Sequence, residues 1–222
     1  MLADGLPAAV LFDMDGTLID SERLARDCFE AACVEIGATP DLAIYNRCIG
    51  RTGAETRRIV QAGYGPDFPY DAMLAAWERR YYAHVKRRPV DIKPGVEGLL
   101  QRLATLAVPL AVVTSSSRDT TETKLELCGL APYFALLVCG GEAPHSKPDP
   151  APYQLACKRL NVAPQVCWAL EDSDNGTRSA VAAGLRVWQI PDEVAPDAQT
   201  LALGHTVAPS ADAVLDFVNK IA

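Results

Sequence analysis

The stretch Ala8-Ala9-Val10-Leu11-Phe12-Asp13-Met14-Asp15-Gly16-Thr17 sets an unbroken apolar run directly against two carboxylates. Apolar residues without alternation suit a strand buried on both faces of a sheet. In a doubly wound α/β sheet the carboxyl tip of such a strand faces the ligand crevice. Asp13 and Asp15, two residues apart at that tip, would repel each other if both were ionised and unpaired. A cation relieves the conflict, and hard Mg²⁺ with oxygen ligands fits best. Gly16 lets the backbone turn close to a ligand. A helix-capping acidic turn is the plainer alternative.

Further runs of the same kind follow at 110–113, 136–139, 166–170 and 186–190, with helical patterns at about 119–127, 150–160 and 175–183 between them. Val96, Leu99, Leu100 and Leu103 mark another helix face. This alternation predicts an α/β fold built on a doubly wound parallel sheet. It fails once. Between the first strand and Pro94 the pattern is purely helical, with stripes at Leu24, Cys28, Phe29, Ala32 and Ile36 and at Met73, Leu74, Trp77, Tyr81 and Val85. The aromatics there read as core packing of a small bundle. Pro89 and Pro94 mark a return linker. The expected organisation is an α/β core of residues 1–19 and 93–222, carrying an α-helical insertion at 20–92.

A chain of 222 residues with 49% hydrophobic and 22% charged residues can bury a core without staples. Its net charge of −7 argues against nucleic acid and against a polybasic membrane contact. No apolar run reaches the length of a membrane span. Seven cysteines without a CxxC pair read as buried, reduced thiols, which points to the cytoplasm. Three scattered histidines make no zinc pattern. Trp168 and Trp188 fall in strand patterns and read as core. The segment Asp192–His205 could cover the edge of a site or bridge to the last helix.

The other strand ends carry chemistry of their own. Thr114-Ser115-Ser116-Ser117 follows the second strand and offers hydroxyls and amides to a phosphate, or simply caps the next helix. Glu171-Asp172-Ser173 follows the fourth, and carboxylates there are costly unless paired. Lys147 stands in the Pro-rich loop Ser146-Lys147-Pro148-Asp149-Pro150.

Together these segments resemble the haloacid dehalogenase superfamily over essentially the whole chain. Asp13-Met14-Asp15-Gly16-Thr17 is similar to its first motif, Thr114 to its second, Lys147 to its third and Glu171-Asp172 to its fourth. Glu171 through Gly176, with Ala182-Ala183-Gly184, resembles the helical-cap, β-phosphoglucomutase-like branch. The resemblance implies a Rossmann-like core with a cap inserted after the first motif. It implies that Asp13 attacks phosphorus, that Asp15 serves as acid and then base, and that Mg²⁺ is held by Asp13, the main-chain carbonyl of Asp15 and Asp172. Glu171 would support the metal directly or through water. Thr114, Ser115 and Lys147 would hold phosphoryl oxygens.

Within the family, Asp15 favours phosphoryl transfer over carbon–halogen cleavage. The mutase pattern places a His where Ala25 stands and a cap Arg where Gly53 stands, so both are missing here. No lysine lies between Ala25 and Gln61 to act as a Schiff-base amine. The expected activity is a phosphatase acting on a small phosphate ester, a sugar phosphate or sugar-acid phosphate. Arg51 and Thr52 are candidates for its specificity, with hinges near 18–20 and 88–94. The expected assembly is a monomer or weak dimer. The alternatives are a β-phosphoglucomutase-type phosphoryl transferase and, from another class, a phosphometabolite-binding regulator without turnover.

Overall fold

The computed structural model describes residues 5–49 and 53–222. The elements run β1 (Ala9–Phe12), α1 (Ser21–Glu35), α2 (Leu42–Cys48), α3 (Gly53–Tyr64), α4 (Tyr70–Val85), α5 (Val96–Thr105), β2 (Leu110–Val113), α6 (Arg118–Leu127), β3 (Leu136–Val138) and α7 (Ala151–Leu160). They continue with β4 (Cys167–Glu171), α8 (Asp174–Ala182), β5 (Arg186–Gln189), α9 (Ala198–Leu201), β6 (Thr206–Val207) and α10 (Ala211–Ile221). The chain divides into two compact units, Met1–Asp20 with Val90–Ala222, and Ser21–Pro89.

The first unit holds a parallel sheet in the order β3-β2-β1-β4-β5-β6. This is the expected Rossmann-like α/β fold. Strand β1 lies between β2 and β4, where the strand order reverses, and such a reversal opens a crevice at the strand tips. Register decides what meets there. Phe12 pairs with Val112 on one side and Leu170 on the other, so Asp13 and Glu171 emerge side by side. All four residues of β1 are buried, because helices cover both faces of the sheet. Leu11, Val113, Val138 and Ala169 pack on one face with Tyr153, Ala156 and Cys157 of α7. On the other, Trp168, Trp188 and Phe217 of α10 stack within 5.8 Å.

Strand β6 was outside the sequence expectation. Thr206 and Val207 are both exposed, so two residues leave no apolar run to read. The undecided segment 192–205 contains the short helix α9 and leads into this edge strand. Near the point of insertion, Ile19 pairs antiparallel with Ile92. The Asp20 amide donates to the Asp91 carbonyl at 2.8 Å, and the Lys93 amide to the Leu18 carbonyl at 3.0 Å.

In the second unit α1 packs along α4. Phe29, Ala32, Cys33, Tyr45, Val60, Met73 and Ala76 form its core. The rings of Phe29, Tyr45 and Trp77 meet pairwise at 5.2 to 5.9 Å, and the Trp77 indole donates to the Ala25 carbonyl. All seven cysteines are free, and six are buried. No helix among the described residues is long and apolar enough to cross a membrane.

Candidate active site

Asp13 follows β1 directly. Its amide donates to the Leu170 carbonyl at 2.9 Å, which extends the β1–β4 ladder by one residue and fixes the side chain at the crevice. Only 8% of the residue is exposed. Lys147 reaches it from the loop before α7. Its Nζ donates to Asp13 Oδ1 at 2.5 Å, to Glu171 Oε1 at 2.6 Å and to the Val113 carbonyl at 2.8 Å. One ammonium therefore ties together the tips of β1, β2 and β4.

Glu171 is fully buried at the end of β4. The Tyr153 hydroxyl of α7 donates to its Oε1, and Ser173 Oγ to its Oε2 at 3.4 Å. Ser173 also caps α8, accepting from the Gly176 amide. Thr17 Oγ1 donates to Asp172 Oδ1 at 3.1 Å. Gly16, at φ 82°, leaves the space this needs, since a Cβ there would stand 2.5 Å from Asp172 Oδ2.

Carboxylate oxygens of Asp13, Glu171 and Asp172 lie within 4.8 Å of one another. Three carboxylates facing one ammonium leave this group of side chains anionic when ionised. Burial pushes the Asp13 carboxyl up to about 7 against the pull of Lys147, with the charge of Glu171 adding to the rise. Burial alone would lower Lys147, but the charges of Asp13 and Glu171 outweigh it and hold the ammonium above its ordinary range. Burial and then Glu171 keep the Tyr153 hydroxyl protonated as a donor. Hard oxygen donors in an anionic pocket fit a divalent cation.

Thr114 continues β2, its amide donating to the Val138 carbonyl at 2.9 Å. Its buried Oγ1 accepts from the Ser116 amide at 3.1 Å and keeps a proton to donate. Ser115 is exposed, and Ser117 caps α6. The Asp15 carboxylate stands outside the three-carboxylate cluster. Ser116 Oγ donates to its Oδ2 at 2.7 Å and Lys124 Nζ to its Oδ1 at 2.6 Å.

Asp13, Asp172, Glu171 and Lys147 thus converge. Arg51 and Thr52 lie outside the described residues. Sequence reading missed Tyr153 and Lys124, the first of which reads as core and the second as a solvated helix residue. Ser116 was read only within the stretch 114–117, as a phosphate donor or part of a cap, and not as a partner of Asp15. Thr17 had a signal in its place within the first motif. Gln189 was missed too: fully buried, it donates from Nε2 to the Asp172 carbonyl and to Asp174 Oδ1, both at 3.3 Å. Within the helical unit a cleft of about 550 Å³ is lined by residues that include Glu22, Tyr45, Arg57, Trp77 and Glu78.

Comparison with known proteins agrees with this geometry. The profile of the haloacid dehalogenase-like hydrolases matches residues 10–190. Validoxylamine A 7'-phosphate phosphatase of Streptomyces hygroscopicus subsp. limoneus is 32% identical, over 79% of this chain and 81% of its own. Phosphoglycolate phosphatase of Thiobacillus denitrificans is 32% identical, over 82% of each chain. The crystal structure of a HAD family hydrolase from Deinococcus radiodurans R1, with bound phosphate and sodium, superposes with a TM-score of 0.80 at 27% identity, covering 96% of this chain and 97% of that one. The strand order, the motif residues at the strand tips and these likenesses have one reading: the chain belongs to the haloacid dehalogenase-like hydrolase family, in its helical-cap branch, and is an enzyme of the phosphoric monoester hydrolase type.

Proposed function

We propose that this enzyme is a Mg²⁺-dependent phosphatase that hydrolyses a small phosphorylated metabolite through a phosphoaspartate on Asp13. The observation that carries this reading is the placement of Asp13, at the tip of the central strand, against Lys147 and beside Asp172 and Glu171. A carboxylate oxygen of Asp13 attacks phosphorus. Lys147 offsets the repulsion between that carboxylate and the incoming phosphate. The Thr114 hydroxyl and Ser115 hold phosphoryl oxygens. Asp15 gives its proton to the departing alcohol oxygen and then takes one from the water that cleaves the phosphoaspartate.

Mg²⁺ would be held by Asp13, the main-chain carbonyl of Asp15 and Asp172, with Glu171 in support. When bound it supplies positive charge that offsets the charge on the transferring group. Tyr153 and Lys147 already engage Glu171 Oε1, which suits a supporting place for this side chain.

A sugar phosphate or sugar-acid phosphate is the favoured substrate class. The relatives named for validoxylamine A 7'-phosphate and for phosphoglycolate support it. So does the cleft of the helical unit, whose lining includes the half-buried ring of Trp77 and the exposed carboxylate of Glu78, side chains of the kind that recognise hydroxyl-rich molecules. In this reading residues 20–92 act as the cap, 1–19 and 93–222 as the catalytic core, and Arg51 and Thr52 as specificity residues. Seven free thiols suit a reducing compartment, so the cytoplasm is the proposed location. The proposed assembly is a monomer or weak dimer.

The test is phosphate release from p-nitrophenyl phosphate and from a panel of sugar and sugar-acid phosphates, with Mg²⁺ and with chelator. Release that needs Mg²⁺ and disappears in Asp13→Asn supports the reading. A folded protein that releases phosphate from none of them overturns it.

A further inference from the structure

Among the described residues Lys124 is the most deeply buried charge outside the cluster at Asp13. Its side chain is 1% exposed and reaches Asp15, whose side chain is 24% exposed. It stands on the inward face of α6 with Thr121 and Leu125. A leucine or methionine would pack at that position with less desolvation, because a buried ammonium is costly even when paired. The Asp15 carboxylate it meets is only partly withdrawn from water, so this pair gains less than two fully buried charges would. Packing therefore gives a weak account of this lysine.

The second donor comes from the same stretch of chain. Ser116 Oγ holds Asp15 Oδ2 at 2.7 Å, while Lys124 Nζ holds Oδ1 at 2.6 Å. Ser116 precedes α6 and Lys124 lies two turns into it. With a donor on each oxygen, the carboxylate plane is fixed, where a half-solvated aspartate would otherwise turn about its side-chain bonds. A group that must meet a leaving oxygen gains from such fixing, since misplaced acids lose much of their effect.

We infer that Lys124 and Ser116 are positioning residues, a two-donor clasp that orients the Asp15 carboxyl for its proton transfer to the leaving alcohol. This rests on the reading of Asp15 as the acid. In the step concerned, an Asp13 oxygen forms its bond to phosphorus as the bond from phosphorus to the alcohol oxygen breaks. The bonding pair stays on that oxygen, and the proton of Asp15 goes to it. An alkoxide leaving group needs that proton, while p-nitrophenolate leaves without it.

The experiment compares kcat/KM for an alkyl ester, ribose 5-phosphate, with kcat/KM for p-nitrophenyl phosphate at saturating Mg²⁺. This ratio reads the steps up to departure of the alcohol, so the later attack of water does not enter it. Asp15→Asn lowers the alkyl-to-aryl ratio by about 100-fold or more. Lys124→Met lowers it by about 10- to 100-fold with little change in thermal midpoint, and Ser116→Ala lowers it by less. Ser116→Thr, which keeps the hydroxyl, restores it. In the Asp15→Asn background Lys124→Met shifts the ratio no further. Should Lys124→Met not fold, the Ser116→Ala and Ser116→Thr pair decides, because Ser116 is half-buried and outside the packed face of α6. A ratio unchanged in Lys124→Met and Ser116→Ala, while Asp15→Asn moves it, overturns the clasp alone. A ratio unmoved by Asp15→Asn overturns the acid reading itself.

Discussion

A Cβ added to Gly176 would stand 1.9 Å from Glu171 Oε2 and 2.1 Å from its carboxyl carbon. Glu171 has nowhere to retreat, since Lys147 and Tyr153 hold its other oxygen. Gly176→Ala should therefore cost about 1 to 3 kcal/mol by overpacking. The displaced carboxylate should also weaken Mg²⁺ binding. Urea unfolding and calorimetric titration with Mg²⁺ measure the two effects, and both should change together.

Lys147→Met removes the ammonium between Asp13 and Glu171 and leaves two buried carboxylates facing each other. The expected cost is about 3 to 5 kcal/mol, the penalty of breaking a buried pair from one side. Turnover should fall by about a thousand-fold, since phosphate then approaches an unscreened nucleophile. Mg²⁺ should recover part of the lost stability, which unfolding with and without the ion would reveal.

The raised Asp13 carboxyl has a pH consequence with a definite sign. Its folded value near 7 exceeds the unfolded 3.8, so the folded protein holds the proton longer. Stability should therefore fall as pH rises from about 4 to about 7 and level off above. Asp13→Asn should abolish that slope while also abolishing turnover. Mg²⁺ binding should release protons below pH 7 and tighten as pH rises through that window. Denaturant unfolding at pH 5 and pH 8, with calorimetry in buffers of different ionisation enthalpy, tests all three statements.

Gln189 supports Asp172 from behind, donating to its carbonyl and to Asp174, while His205 Nε2 meets Gln189 Oε1 at 2.7 Å. Gln189→Leu keeps the volume and removes those bonds. Mg²⁺ affinity should drop by about 10-fold, the usual scale for a residue that orients a ligand from behind. Titration of the metal-free protein reads this without reference to turnover.

The sheet was legible because its chemistry is abrupt. Ala9 to Phe12 ends at Asp13, and Cys167 to Leu170 ends at Glu171, so each buried strand announces its own tip. Asp13, Glu171 and Asp172 stood out at the strand tips, while Lys147 was picked out only through the order of the family's motifs. Lys124 and Tyr153 could not be read, because what each does depends on which way one helix face turns. A lysine at helical spacing reads as solvent-facing until α6 is seen to place it against Asp15. Strand β6 was silent for the opposite reason: two exposed residues add hydrogen bonds to Gln189 and Trp188 of β5 but bury nothing.

The pairing of Ile19 with Ile92 bears on how such a protein can change. The chain departs from the sheet and rejoins it at one spot, stitched on either side by Asp20 to Asp91 and by Lys93 to Leu18. Whatever lies between those stitches enters and leaves as a closed loop, so its length and sequence place no demand on the strand order. Recombination or design could exchange Ser21–Pro89 for another segment with adjoining ends while the carboxylates at the strand tips stay where they are. On the proposed reading of the two units, selectivity and reactivity are thereby encoded in separable pieces of one gene, each free to drift at its own rate.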